Sequence, residues 1–254
     1  MEDWERAVND FLKDYKNKDY VIGAVACGSY ITGNPSKHSD IDLRIILKDS
    51  INWRERGNKM VNGFLVEYFM NPIRQELKYF KEDYNDRRRL DAHMYSTGKV
   101  LFDKTGDVKK IIKIAKKFNV KLFKKGGKIG NEMSQYALWD MVDNLEEVYE
   151  KAKEDFYFVY FNYLKNIFSN YCNFIGYEDI GSHKVLRFLT DKKDMVKYGL
   201  FEFPDKKFIE LFVNCMVLNE KKEMMNSYKF LTDYALNKMG FKGINGWKTK
   251  SLIK

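Results

Sequence analysis

The sequence predicts an α+β fold in two parts, an N-terminal domain mixing strands with helices and an all-helical C-terminal domain. Three observations carry this. Short runs rich in β-branched residues, Tyr20 to Cys27, Ile41 to Leu47 and Phe64 to Met70, alternate with helical patterns in the first half of the chain. From Asn131 onward the spacing of apolar residues is helical. Between the two lies Lys121 to Lys128, a basic run containing Gly126-Gly127 that reads as a linker. The expected domains are residues 1–125 and 126–254.

Trp4, Ala7, Val8, Phe11, Leu12 and Tyr15 recur at helical spacing, so an amphipathic helix opens the chain. Tyr20 to Cys27 is a buried strand that ends in the tight turn Gly28-Ser29. Ile31 to Ser39, rich in Gly, Asn, Pro and Ser, is loop. Ile41 to Leu47 forms a second strand. Asn62-Gly63 between apolar residues signals a two-residue hairpin turn, with Phe64 to Met70 as the outgoing strand. Asn71-Pro72 predicts an N-cap with proline at the first helical position, opening a helix to about Arg89. Lys99 to Phe102 is a strand and Val108 to Phe118 a helix. The second half predicts helices over Asn131 to about Asn173, with an aromatic stretch from Phe156 to Phe174, then over His183 to Leu189, Pro204 to Asn219 and Lys222 to Met239.

Composition narrows the class. With 44% hydrophobic and 32% charged residues the chain is an ordinary globular protein. The net charge of +9 comes from scattered lysines, which read either as solvated helix faces or as a positive lining for a triphosphate. Cys27, Cys172 and Cys215 are odd in number and form no CxxC, which points to reduced thiols rather than a disulfide frame or a zinc site. Met1 to Lys18 is charged throughout, without a signal-peptide pattern, and no apolar run reaches membrane-span length. A cytoplasmic protein with no membrane partner is expected.

The chemistry concentrates between Gly28 and Glu67. Strand side chains alternate faces, so Ile41, Leu43, Ile45 and Leu47 bury on one side while Asp40, Asp42 and Arg44 project from the other. Two carboxylates on one face repel unless a cation joins them. Mg²⁺ suits such a pair, being held by one or two carboxylates together with substrate phosphates. Gly28-Ser29 ends a strand where backbone N–H groups can approach an anion without an intervening Cβ. Glu67 can stand beside Asp42 if their strands are neighbours, and can take a proton from a hydroxyl or bind the metal that acidifies it; otherwise it is an edge-strand charge opposing aggregation.

Gly28-Ser29, ten residues, Asp40-x-Asp42 and a later apolar-Glu67-apolar strand resemble the signature of the DNA polymerase β-like nucleotidyltransferase superfamily. The resemblance implies a nucleotidyltransferase domain with a mixed β-sheet flanked by helices. It implies that Gly28 and Ser29 hold the β- and γ-phosphates, that Asp40 and Asp42 bind metals, and that Glu67 binds the metal at the acceptor hydroxyl or serves as its base. In-line attack on the α-phosphate would then release pyrophosphate. Ser39, directly before Asp40, also fits the pattern. Thr97 to Asp103 followed by a helix, and the appended helical domain, look like the layout of aminoglycoside and lincosamide nucleotidyltransferases.

Other residues carry two readings. Arg44 either neutralises Asp42 or touches a phosphate. Lys37 and His38 are exposed loop residues or triphosphate contacts. Lys184, after a glycine at the start of a helix, either has no such role or, as the resemblance to related two-domain enzymes implies, closes over the nucleotide from the helical domain. His93 and Arg87-Arg88-Arg89 read as surface. Tyr157, Tyr160 and Tyr163 pack in the core or line an acceptor pocket, and Glu132, Asp140, Asp143, Glu146, Glu147 and Glu150 are an exposed face or a site for a cationic acceptor. The expected function is Mg²⁺-dependent transfer of a nucleoside monophosphate, AMP from ATP, to a hydroxyl of a small molecule such as an antibiotic. The alternatives are a protein-directed nucleotidyltransferase of the antitoxin type and a nucleotide-binding module without turnover. No helix-hairpin-helix or concentrated basic stripe suggests nucleic acid as a partner.

Overall fold

The computed structural model describes residues 2–151, 154–181 and 184–250. The chain divides into two compact units, Met1–Lys121 with Lys197–Gly199, and Leu122–Val196 with Leu200–Lys254.

In the first unit, α1 (Asp3–Lys16) buries Trp4, Ala7, Val8, Phe11 and Leu12. Its first turn is closed by the Glu2 N–H donating to the Glu5 carboxylate at 3.2 Å. Then follow β1 (Val21–Cys27), α2 (Ser29–Thr32), β2 (Ile41–Leu47), β3 (Glu55–Val61), β4 (Phe64–Pro72), α3 (Ile73–Asn85), α4 (Leu90–Thr97), β5 (Lys99–Asp103) and α5 (Asp107–Asn119). Among the described residues the strands make one mixed sheet of order β3-β4-β2-β1-β5. β1 is antiparallel to both β2 and β5, β2 is parallel to β4, and β3 is antiparallel to β4. β1, paired on both edges, is buried along its whole length.

Strand alternation divides the core. One cluster joins α1 to Val21, Ala24, Ala26, Ile41, Leu43, Ile45, Val66 and Met70. The other joins Ile22, Val25, Cys27 and Ile46 to Phe80, Tyr95, Val108 and Ile111 from α3, α4 and α5. Asn62 and Gly63 both have positive φ, 50° and 84°, as a two-residue hairpin turn requires.

Three local expectations differ. Asn71 and Pro72 extend β4, whose pairing with β2 continues to Leu47–Pro72, and the helix begins only at Ile73. That helix stops at Asn85 because Arg87 takes a left-handed φ of 59°; the Asp83 carboxylate then accepts from the Asp91 N–H at 2.8 Å in the first turn of α4. Arg89 is buried at 6% exposure, donating to the Lys121 carbonyl at 2.9 Å, and is no surface residue.

The second unit contains α6 (Lys128–Lys151), α7 (Phe156–Ile175), α8 (Val185–Thr190), α9 (Lys192–Lys197), α10 (Lys206–Val217) and α11 (Lys221–Met239). The expected helical start at His183 lies outside the described residues. Part of the aromatic stretch packs inward, where Tyr171 stacks on Phe208 at 4.0 Å and buried Tyr160 donates to the Cys215 carbonyl at 2.9 Å, while Tyr157, Phe158 and Phe161 are exposed. All three cysteines are buried and unbridged. Among the described residues no helix is long and apolar enough to cross a membrane.

Gly23 marks where β1 admits no side chain. A Cβ there would stand 2.2 Å from Val108 Cγ2 and 2.9 Å from the Phe102 carbonyl oxygen, the latter fixed in the sheet. Gly23→Ala is expected to cost about 1–3 kcal/mol, read as a lower urea midpoint; an unchanged midpoint would refute this packing.

Candidate active site

The site grows from the ends of β1 and β2. Cys27, the last residue of β1, pairs with Asp42 in β2, so the chain turns at Gly28 directly against the Asp42 side chain. Gly28 has φ 75° and ψ −157°, a region accessible in practice only to glycine. A Cβ on it would lie 2.0 Å from Asp42 Oδ2. Both the backbone and the carboxylate therefore demand glycine here. The Gly28 carbonyl accepts from the N–H of Thr32 at 3.0 Å, and the Ser29 carbonyl accepts from that of Asn34 at 2.9 Å, which folds the following loop.

Parallel pairing of β2 with β4 sets Asp42 opposite Glu67. Asp40, Asp42 and Glu67 bring one carboxylate oxygen each within 4.8 Å of one another, all half-buried. The donor set is oxygen-only and anionic, which suits a hard divalent cation and not a thiophilic one. The residues thus fit a bound metal. Glu67 also accepts from Arg56 on β3, with Oε1 2.7 Å from the guanidinium nitrogen.

Arg44 lies on the same face but one layer deeper, at 6% exposure. It pairs with Asp91 of α4 at 2.8 Å and lies 4.2 Å from the centroid of the Phe69 ring. Its guanidinium is turned into the interface between sheet and helices, where α4 supplies the half-buried Asp91 carboxylate for a salt bridge. Burial presses its guanidinium toward the neutral form, but Glu76 and Asp91 together raise its pKa further. Glu76, fully buried, accepts from the Asn71 amide at 2.9 Å. Burial pushes the Glu76 carboxyl upward against the opposing pull of Arg44 and Asn71, and burial likewise raises Asp91 against Arg44.

The remaining expectations disperse. The Ser39 hydroxyl accepts from the Ser36 N–H at 2.8 Å, so it shapes the loop before Asp40. Ser29 is half-buried beside Gly28, and Lys37 and His38 are exposed. Lys184 belongs to the helical unit, its ammonium 6.0 Å from the Phe188 ring centroid. On α6, Glu146 pairs with Lys229, Glu147 with Lys151 at 3.1 Å, and Glu132 accepts from Thr249 at 2.9 Å. Glu150 and Tyr157 line an open depression of about 600 Å³ with Tyr149, Asn219, Glu220 and Lys221. Sequence reasoning missed Arg56, Glu76 and Asp91. Arg56 was readable by counting back from the Asn62-Gly63 turn; the other two join β2 only through tertiary packing.

A mixed sheet whose adjacent strands converge three carboxylates beside a glycine turn defines a nucleotidyl-transfer type of catalytic domain. The chain matches the nucleotidyltransferase domain family over residues 6–165, more than half its length. It belongs to that family, within the DNA polymerase β-like superfamily, and is a transferase. Among similar solved structures is a nucleotidyltransferase-like protein from Exiguobacterium sibiricum, 12% identical, matched over 92% of this chain and 75% of that one with a TM-score of 0.48. No curated protein matches the chain.

Two outcomes follow from this geometry. Gly28→Ala is expected to cost about 1–3 kcal/mol in stability and to displace the Asp42 carboxylate, losing activity even where the protein stays folded; retained activity would refute the close packing of Gly28 on Asp42. A carboxyl with a raised native pKa gives stability that is complete below its unfolded value and lost as pH rises through the native one. Glu76→Gln removes that loss while keeping an acceptor for Asn71. Its melting temperature relative to wild type should therefore increase from about pH 4 upward and then level. A difference independent of pH would show that Glu76 has no raised pKa.

Proposed function

We propose that the protein transfers a nucleoside monophosphate, AMP from ATP, to a hydroxyl of a small cationic acceptor of the antibiotic type, in a Mg²⁺-dependent reaction. The observation that carries this is the convergence of Asp40, Asp42 and Glu67 beside Gly28 in a chain of the nucleotidyltransferase family. Asp40 and Asp42 would hold Mg²⁺, with Glu67 as third ligand or base. When bound, the cation screens phosphate charge and acidifies the acceptor hydroxyl.

The chain's own residues supply the rest. The Gly28-Ser29 turn would present backbone N–H groups to the β- and γ-phosphates. Glu67 takes the acceptor proton as the hydroxyl oxygen bonds to the α-phosphorus. The bond from that phosphorus to the β-phosphate oxygen breaks, and pyrophosphate leaves in line. Glu150, Tyr157 and Glu220 line a depression on the helical unit together with Lys221, so a cationic acceptor bound there would replace the Lys221 ammonium, which lies 5.1 Å from the Tyr157 ring centroid. The layout resemblance to aminoglycoside and lincosamide enzymes points the same way.

Incubation with Mg-ATP and a panel of aminoglycosides and lincosamides, followed by mass spectrometry, is expected to reveal an acceptor heavier by one AMP. Asp42→Asn should lower turnover by at least about a hundredfold with the far-ultraviolet spectrum unchanged. Wild-type turnover in that variant would remove Asp42 from the chemistry.

A further inference from the structure

Arg56 is not used by the transfer chemistry, yet its side chain is placed by two contacts at the rim of the carboxylate cluster. It stands on the edge strand β3, with its side chain 67% exposed. Its guanidinium lies 2.7 Å from Glu67 Oε1 and 4.7 Å from the centroid of the Phe69 ring. The hairpin register explains the placement. Phe69 is the cross-strand partner of Arg56, and Asn58 that of Glu67, so Arg56 reaches Glu67 along the diagonal. Alternation puts Arg56, Asn58 and Met60 on the site face of β3 and sends Glu55, Gly57 and Lys59 to the other. Glu55 accepts there from the Tyr68 hydroxyl at 2.7 Å. Arg56 is thus the single charged side chain that β3 turns toward the site, and it meets the third carboxylate.

We propose that Arg56 is a built-in counter-ion of Glu67, a positioning residue that competes with the divalent cation for that carboxylate and so sets the affinity of the metal site. The inference rests on the reading of Asp40, Asp42 and Glu67 as metal ligands. Physically, Arg56 and a divalent cation attract the same oxygens and repel each other. The pair is solvent-accessible and therefore weak enough to exchange. The Phe69 ring gives the guanidinium a surface to rest on when it yields the carboxylate. Arg44 beneath differs: it is buried against Asp91 and does not exchange.

The test is titration of the full-length protein with Mn²⁺ alone, followed by electron paramagnetic resonance, without nucleotide. Arg56→Gln is expected to bind Mn²⁺ about two- to fivefold more tightly than wild type, with Arg56→Ala as a second neutral variant and Arg56→Lys staying close to wild type. In a Glu67→Gln background the same Arg56→Gln change is expected to have no effect. A purely structural role would leave Mn²⁺ affinity unmoved or weaken it in every background. If Arg56→Gln binds Mn²⁺ no more tightly than wild type while Asp42→Asn loses binding, the counter-ion role falls and the metal site stands. If Asp42→Asn binds as well as wild type, the metal site itself falls and the role of Arg56 with it.

Discussion

Three carboxylates are held within 4.8 Å of one another by the parallel pairing of β2 with β4, and the rest of the catalytic unit serves that convergence. Like charges so close repel, so the backbone must impose what the side chains resist. It does so through strand order. β4 lies between β3 and β2, which puts Glu67 opposite Asp42, and β1 runs antiparallel beside β2 and ends under the Asp42 carboxylate. Only a residue without a Cβ fits there, so Gly28 and Asp42 are one structural unit. The crossover loop after β2 is pinned by Arg74, whose N–H donates to Asp49 at 2.9 Å and whose guanidinium donates to the Ile51 carbonyl at 2.6 Å.

Much of this unit is legible in the sequence because it follows from short-range rules. The bounds of β2 emerge directly from its β-branched pattern, and alternation alone assigns Asp40, Asp42 and Arg44 to one face. The Asn62-Gly63 turn fixes the register of β3 on β4, from which the diagonal approach of Arg56 to Glu67 could be counted. What is not legible is long-range. Nothing local says that β4 pairs with β2, or that Asp91, far along the chain, comes to Arg44. β3 hides as well: Glu55 to Val61 is largely polar because an edge strand with none of its seven residues fully buried needs no apolar face. The break between α3 and α4 depends on one left-handed residue, Arg87, of a type that rarely adopts that conformation.

The helical unit teaches a different lesson. Its aromatic residues admit either core packing or a binding pocket by sequence, and Tyr160 and Tyr171 are buried, the first donating to the Cys215 carbonyl and the second to the Asp205 carboxylate while stacking on Phe208. The acidic residues of α6 are likewise partly spent: Glu146 and Glu147 face lysines, and Glu132 holds Thr249. The depression at Glu150, Tyr157 and Glu220 is no freer: the Glu220 carboxylate accepts from the Glu223 N–H at 2.8 Å, and the Lys221 ammonium lies 5.1 Å from the Tyr157 ring centroid. Periodicity finds the helices, but it cannot say which of their charges are already engaged.

The charges on the site face are layered by depth, and the layering separates permanent from exchangeable partners. Deep in the sheet–helix interface, Arg44 is fixed by Asp91 and flanked by Glu76; taking one member away would strand a buried charge, so this layer cannot respond to a ligand without unfolding locally. Burial also raises the Glu76 pKa, against the opposing pull of Arg44 and Asn71. At the solvent layer, Arg56 meets Glu67 with most of its side chain in water, where separation costs little. The buried layer can therefore fix where β2 and β4 stand, while the exposed layer leaves Glu67 able to exchange one positive partner for another. A site that is to hold a cation would need both, because carboxylates that are permanently paired would refuse the metal, and carboxylates with no fixed scaffold would spring apart before it arrived.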